Sequence, residues 1–227
     1  MTQDRKTLLA LTALLLLSCA LFLTWNAPQG EWGYILPLRG AKLAALLLVA
    51  YSVGVSTLLF QTLTNNPILT PAILGFDSLY IFLQTLLVVL LGGVGYTALP
   101  AGGKFALELA AMMGGSLLLF NVLLRQGGRD LARMILIGVI FGVFFRSLSS
   151  LLKRLLDPEE FTAALANSFA NFNTINTKLL AVGFVIMAAS AVFIWRERHR
   201  LDVYLLGRDQ AVNLGINYTR NTLWILL

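Results

Sequence analysis

Long apolar runs separated by short polar stretches dominate this chain. Six segments come near the 20 or so residues that an α-helix needs to cross about 30 Å of hydrocarbon. They are Thr7–Trp25, Leu43–Leu63, Leu79–Tyr96, Phe105–Leu124, Met134–Leu152 and Leu179–Trp195. A seventh apolar segment begins near Thr219 and stops with the chain at Leu227. The pattern predicts an all-α, polytopic membrane protein with six spanning helices and the start of a seventh.

The composition supports a helical membrane protein. Hydrophobic residues make up 58% of the 227 residues and charged residues 12%, whereas a soluble domain is about half apolar and a quarter charged. A membrane barrel would show alternating segments of about ten residues, but Leu8 to Leu17 is continuously apolar apart from Thr12. We expect residues 1–227 to form a single transmembrane domain that lacks its C-terminal part, because the seventh segment is too short to span.

Basic residues cluster at the ends of the apolar runs. Arg5 and Lys6 precede a first run of about 18 residues, longer than the roughly 7–15 of a signal peptide, so we interpret it as a retained helix. With the N-terminus in the cytoplasm, ten basic positions fall in inner loops and six in outer loops. This distribution favours that orientation and explains the net charge of +6 without a nucleic-acid partner.

Residues that could support catalysis are scarce and scattered. His199 is the only histidine and lies in a basic flank, and Cys19 is the only cysteine. Glu108 is the only carboxylate well inside a predicted span, with Lys104 four residues earlier as a partner on the same helix face. A Gly-x-x-x-x-Gly-Lys-Ser/Thr loop is absent from the sequence. We therefore predict no catalytic site, no metal site, no cofactor and no ATP binding.

Polar residues accumulate toward the end of the second span. Gln61 is followed by Asn65-Asn66-Pro67, and Pro71 comes soon after. Proline disfavours helix at the residue before it, so the helix should end here. Polar groups within a membrane usually face protein or water. Gln61, Asn65 and Asn66 therefore either line a translocation cavity or fix a helix end near one.

The fifth span carries a small-residue pair and a deep arginine. Gly138 and Gly142 have the small-xxx-small spacing that allows close helix contact. Arg146 follows on the outward half of this helix. It lies deeper in the membrane than Lys153 and Arg154, whose side chains can reach the headgroups. Arg146 is a candidate for the translocation pathway, where it would face an anionic substrate. At the outer end of the second span, Arg39 and Lys42 are either interfacial anchors or a docking site for an acidic partner.

The stretch from Leu201 to Asn217 has more order than an inter-helix loop requires. Leu206, Val212 and Leu214 are apolar positions, and Gly207 and Gly215 suit the ends of short helical turns. Topology places this stretch in the cytoplasm, where it would receive a force or a signal from a soluble partner. On the outer side, Asp157-Pro158-Glu159-Glu160 predicts the start of a short interfacial helix within residues 157–177.

In order and spacing, these motifs resemble the permeases of iron-chelate and vitamin B12 ABC importers, the FecCD family. The matching stretches are Leu38-Arg39-Gly40-Ala41-Lys42, Gln61, Asn65-Asn66-Pro67, Pro71, Leu74-Gly75, Leu206-Gly207-Arg208-Asp209-Gln210-Ala211 and Leu214-Gly215. The family often has arginine at the position of Lys42 and an acid at that of Arg208. Its later Gly-Phe-x-Gly-Leu and Pro-His stretches have no counterpart in this sequence.

The resemblance implies about ten helices, a second permease subunit that is identical or paralogous, and a ferric siderophore as substrate. It implies that Arg39 and Lys42 meet glutamates of a periplasmic binding protein. It further implies that residues 202–217 form paired coupling helices that contact a cytoplasmic ATPase. The matched coupling residues are Leu206, Gly207, Asp209, Ala211, Leu214 and Gly215. Alternatives are a vitamin B12 or haem permease of the same family, an ion-coupled secondary transporter and a membrane scaffold.

Overall fold

The computed structural model describes residues 3–25, 32–127, 131–158, 162, 172, 175–215, 221–222 and 224–225. These described residues form helices and no strand. The helices are α1 (Gln3–Thr24), α2 (Trp32–Thr64), α3 (Phe76–Leu91), α4 (Gly93–Ala98), α5 (Ala101–Gly127), α6 (Leu131–Lys153), α7 (Thr177–Tyr204) and α8 (Arg208–Asn213). A 3₁₀ turn over Pro71–Leu74 precedes α3. The predicted all-α class is confirmed.

The chain divides into two compact units. Unit 1 comprises Met1–Ser52 and Asn171–Met187, and unit 2 comprises Val53–Ala170 and Ala188–Leu227. In the part of the chain that the structure describes, five helices are long and apolar enough to cross a membrane, namely α1, α2, α5, α6 and α7. They correspond to five of the six predicted spans.

All five helices extend beyond their predicted bounds at one end or both, and two of them extend furthest. Helix α2 begins at Trp32 rather than Leu43 and includes Pro37. Proline is tolerated there because it lies in the second turn and removes only one hydrogen bond of the helix. Helix α7 continues to Tyr204 through the basic flank, where Arg200 Nη1 donates to Glu197 Oε2 at 2.8 Å. Ion pairs at this spacing stabilise a helix by a few tenths of a kcal/mol.

The third predicted span, Leu79–Tyr96, is not one continuous helix. Helix α3 starts earlier, at Phe76, and stops at Leu91, because Gly92 has a φ of +70° and a ψ of 154° that no helix contains. Helix α4 then carries the chain from Gly93 to Ala98. The 16 residues of α3 give a length of about 24 Å, short of the hydrocarbon thickness of about 30 Å.

Unit 2 has its core where α3 lies against α5 and α6. The buried side chains of this core are Phe60, Leu69, Leu74, Phe76, Leu79, Leu119, Phe120, Leu123 and Met134. The glycine pair of α6 gives room for the turn before α3. A Cβ built on Gly138 would lie 2.8 Å from Leu74 Cα, and one built on Gly75 would lie 2.8 Å from Gly142 Cα. The predicted close contact at Gly138 and Gly142 is confirmed.

Two predicted elements fall largely outside the described residues. Thr162 Oγ1 donates to the Pro158 carbonyl at 2.7 Å, with the four-residue spacing of a helix, but most of residues 157–177 are not described. Of the seventh segment, Asn221–Thr222 and Trp224–Ile225 are helical, whereas Thr219 lies among the residues that are not described.

Candidate functional site

The break at the end of α2 is built by its own polar side chains. Asn65 has a φ of +49°, a conformation that asparagine tolerates better than most residues. Gln61 Nε2 donates to the Pro67 carbonyl at 2.7 Å, and Asn66 Oδ1 accepts from the Ile68 amide at 2.8 Å. Gln61 and Asn66 therefore stabilise the helix end. Their contact with a transported substrate stays a prediction.

The coupling segment, residues 201–217, begins inside α7 and contains one short helix in its described part. Gly207 has a φ of +90° and Gly215 a φ of +85°, and α8 lies between them. The Gly207 amide donates to the Tyr204 carbonyl at 3.0 Å, and the Gly215 amide to the Val212 carbonyl at 2.9 Å. The predicted helical turns ended by glycine are confirmed. A second coupling helix is not seen in the described residues.

Apolar side chains in and beside α8 differ in exposure. Ala211 is fully buried, whereas Val212 in the helix and Leu206 and Leu214 beside it are exposed by 50%, 60% and 63%. Asp209 lies in α8 by its backbone. The exposed apolar side chains are available for contact with another protein or with lipid.

Arg39 is engaged within its own unit. Its Nη1 atom donates to the carbonyl of Trp25 at 2.6 Å and to those of Phe22 and Leu23 at 3.3 Å each. These carbonyls belong to the C-terminal end of α1, where the helix dipole attracts a cation. Lys42, one turn further along α2, is half-buried. Arg39 thus stabilises the pairing of α1 and α2, a role that the sequence could not reveal.

Arg146 links α6 to α3. Its Nε atom donates to Ser78 Oγ at 2.9 Å, and Ser78 is buried. One turn further along, Thr85 and Ser149 share a hydrogen bond of 3.3 Å. Arg146 and Ser149 of α6 therefore both join this helix to α3. Arg146 as a whole is exposed.

A polar cluster that the sequence reasoning missed joins α3, α4 and α5. The Tyr96 hydroxyl is hydrogen-bonded to Gln84 Oε1 at 2.9 Å and to Glu108 Oε1. The Lys104 ammonium lies 3.9 Å from the centroid of the Tyr96 ring, a cation–π contact. Lys104 and Glu108, expected to pair along one helix, thus both contact Tyr96. In the sequence, the paired glycines Gly92-Gly93 could have indicated this cluster, because they mark the helix break that turns Tyr96 inward.

The described residues contain no group of three His, Cys, Asp or Glu side chains that could hold a metal ion. The side chains that the structure brings together are amides and hydroxyls, together with the charged groups of Arg39, Arg146, Lys104 and Glu108. These contacts fix the geometry of the connections between helices.

Comparison with known proteins agrees with this picture. The sequence model of the FecCD transport family matches residues 7–227. The petrobactin import system permease protein YclO of Bacillus subtilis (strain 168) is 39% identical over 218 residues, which are 96% of this chain and 69% of YclO. The petrobactin permease protein FatC of Bacillus anthracis is 31% identical over 224 residues, which are 97% of this chain and 63% of FatC.

A solved structure gives the same fold. A metal-chelate type ABC transporter in an inward-facing conformation superposes with a TM-score of 0.76 at 23% identity, covering 98% of this chain and 70% of that chain. The chain therefore spans about two thirds of the proteins it matches. Because the family model covers nearly all of the sequence, and the predicted resemblance is thereby confirmed, this chain belongs to the FecCD transport family.

Proposed function

We propose that this chain is a permease subunit of an ABC importer that carries a ferric siderophore across the inner (plasma) membrane. The observation that carries the proposal is the 39% identity with the permease protein of a petrobactin import system, over 96% of this chain. The other relatives include a ferric enterobactin permease protein of Escherichia coli (strain K12), FepG, at 28% identity. Petrobactin is accordingly the first chelate to test.

The coupling segment is the proposed contact with a cytoplasmic ATPase. Leu206 and Leu214 are exposed apolar side chains on either side of α8, and the buried Ala211 orients the helix between them. Gly207, Asp209 and Gly215 complete the proposed contact. Exposed apolar groups beside a short helix fit a cleft in a soluble partner, because removing apolar surface from water favours association.

The proposed docking site for a periplasmic binding protein consists of Arg39 and Lys42. The structure supports unequal roles for them. Arg39 already donates to the end of α1, so an acidic partner would have to compete with carbonyl acceptors for this guanidinium. Lys42 offers a point charge one turn away. We therefore assign the larger share of the docking electrostatics to Lys42.

The translocation pathway is proposed to pass Gln61, Asn65, Asn66 and Arg146, between this chain and a second permease subunit that is identical or paralogous. Opening and closing require two arrangements of the surrounding helices. The permease has no catalytic role of its own in this scheme. We propose that the N-terminus lies in the cytoplasm and that the chain forms a single permease domain.

The substrate assignment is tested by uptake of iron chelates. Cells that lack their own petrobactin permease are supplied with the full-length subunit and its partners, and uptake of radioactive iron is measured for petrobactin, enterobactin and a hydroxamate chelate. We expect petrobactin uptake to be restored above the other two. Uptake of vitamin B12 or haem with none of any iron chelate would instead support the alternative members of the family.

A further inference from the structure

The end of α7 packs against the end of α2. Tyr204, the last residue of α7, is 1% exposed and forms an apolar cluster with Leu63 of α2 and with Ile225. Leu59 and Leu201 pack against the same cluster. A buried tyrosine ring removes a large apolar area from contact with solvent, so this contact stabilises the pairing of the two helix ends. It joins the start of the coupling segment to the last turns of α2.

A second contact follows three residues later. A Cβ built on Gly207 would lie 3.9 Å from Asn65 Nδ2. Gly207 precedes α8, and Asn65 terminates α2. Both residues have positive φ, so each marks an abrupt change of chain direction. The chain therefore enters α8 directly beside the point at which it leaves α2.

The chain after Asn65 is held at several points. Its turn is closed by the bonds of Gln61 to Pro67 and of Asn66 to Ile68, and Leu69 is buried. A loop with such bonds and burial does not extend or fold independently of its surroundings. A displacement of Asn65 would therefore also displace the residues that follow it.

The C-terminal end of this connection packs tightly against α6. Leu74 and Gly75 lie against Gly138 and Gly142 so closely that a Cβ built on Gly75 would approach Gly142 Cα and N to 2.8 Å. With backbone in contact with backbone, no side-chain rotation can take up a relative movement. Helix α3 starts at the next residue, Phe76.

We propose that residues 61–75 are a relay that transmits movement of the coupling segment to α3 and α6, with Tyr204 and Asn65 as its positioning residues. The relay rests on the proposed function, because the ATPase is what moves the coupling segment. It gives Gln61, Asn65 and Asn66 a mechanical role in addition to their proposed place along the pathway. Their polar side chains then serve to stiffen a connection.

The test uses the complete importer in proteoliposomes, with the full-length subunit, its ATPase and its binding protein. The variant Asn65→Gly keeps the left-handed backbone and removes only the amide, and Tyr204→Ala removes the ring. Tyr204→Phe keeps the ring, and Phe193→Ala truncates an exposed aromatic side chain on the same helix as a matched control. Chelate uptake, ATP hydrolysis and the amount of bound ATPase are measured for each.

We expect Asn65→Gly and Tyr204→Ala to lower the number of chelates carried per ATP hydrolysed at least tenfold. The bound ATPase should be unchanged and hydrolysis should stay within twofold, because docking does not involve these side chains. Tyr204→Phe and Phe193→Ala should stay within twofold of the wild type in all three measurements. If Tyr204→Ala fails to assemble, Asn65→Gly alone decides the matter.

A wild-type ratio of uptake to hydrolysis in Asn65→Gly would overturn the relay. If the KM for the chelate changed while that ratio stayed at the wild-type value, Asn65 would contact the substrate instead. Failure of the proposed function is distinguishable from either, because the wild-type importer would then show no ATP-dependent uptake or would bind no ATPase at all.

Discussion

The contact between Gly75 and α6 gives a prediction whose size can be worked out from the structure. Gly75 has a φ of +86°, and a Cβ added to it would lie 2.8 Å from Gly142 Cα and N and 3.1 Å from Gly138 O. In Gly75→Ala, the left-handed backbone costs about 1 kcal/mol. Overpacking against a backbone that cannot yield adds about 2 kcal/mol. The expected loss of stability is therefore about 3 kcal/mol.

Gly215 supplies the matched control for this variant. It has nearly the same φ, +85°, but nothing within 4 Å of its added Cβ. Gly215→Ala should therefore lose only the backbone term, about 1 kcal/mol. A third variant, Gly114→Ala, adds a Cβ to a glycine inside α5 that also has open space around it. It should be neutral or slightly stabilising, because alanine is favoured over glycine in a helix by about 1 kcal/mol.

Thermal unfolding of the purified protein in detergent measures the difference. At about 2–4 °C per kcal/mol for a chain of this size, Gly75→Ala should lower Tm by roughly 6–12 °C and Gly215→Ala by roughly 2–4 °C. Equal Tm shifts in the two variants would refute the close approach of Gly75 to Gly142. A shift confined to Gly215→Ala would refute it as well.

Three further predictions concern the other sites. Arg39→Gln should lower Tm by roughly 4–8 °C, because about 2 kcal/mol of charge-assisted hydrogen bonding at the end of α1 is lost. Lys42→Gln should leave Tm unchanged and weaken the affinity for the binding protein in a salt-dependent way. The same loss of Tm in both variants would contradict unequal roles. Tyr96→Phe should cost about 2 kcal/mol, because the buried Gln84 and the half-buried Glu108 lose their hydroxyl partner. An unchanged Tm would show that the cluster is not structural. Ala211→Leu should lower uptake at least tenfold, because Ala211 is fully buried, while the affinity for the binding protein is retained. Normal uptake in this variant would show that α8 is not part of the coupling contact.

Hydropathy predicted the fold class and most spans because a membrane imposes a length of about 20 apolar residues on any helix that crosses it. The bounds were less predictable. Pro37 does not interrupt α2, since it lies near the helix start where few hydrogen bonds depend on it. The break at Gly92 depends on a single backbone conformation, and apolar residues on both sides conceal it.

The candidate sites were predicted in position better than in role. The sequence placed a break after Gln61 and glycine-ended turns in the coupling segment, because proline and glycine act on their immediate neighbours. The partner of Arg39 is the end of another helix, and the partners of Tyr96 lie on two other helices. Such contacts depend on tertiary packing, for which one sequence carries no local signal.

We propose that an ATPase drives iron-chelate uptake through this subunit. The most direct measurement is uptake of ferric petrobactin into proteoliposomes that contain the complete importer and its binding protein, with an ATPase variant that binds ATP but cannot hydrolyse it. We predict that uptake falls to the level of empty liposomes and that dissipating the ion gradients of the wild-type system changes nothing. Uptake that persists without hydrolysis and collapses with the ion gradient would contradict the account and would support an ion-coupled transporter.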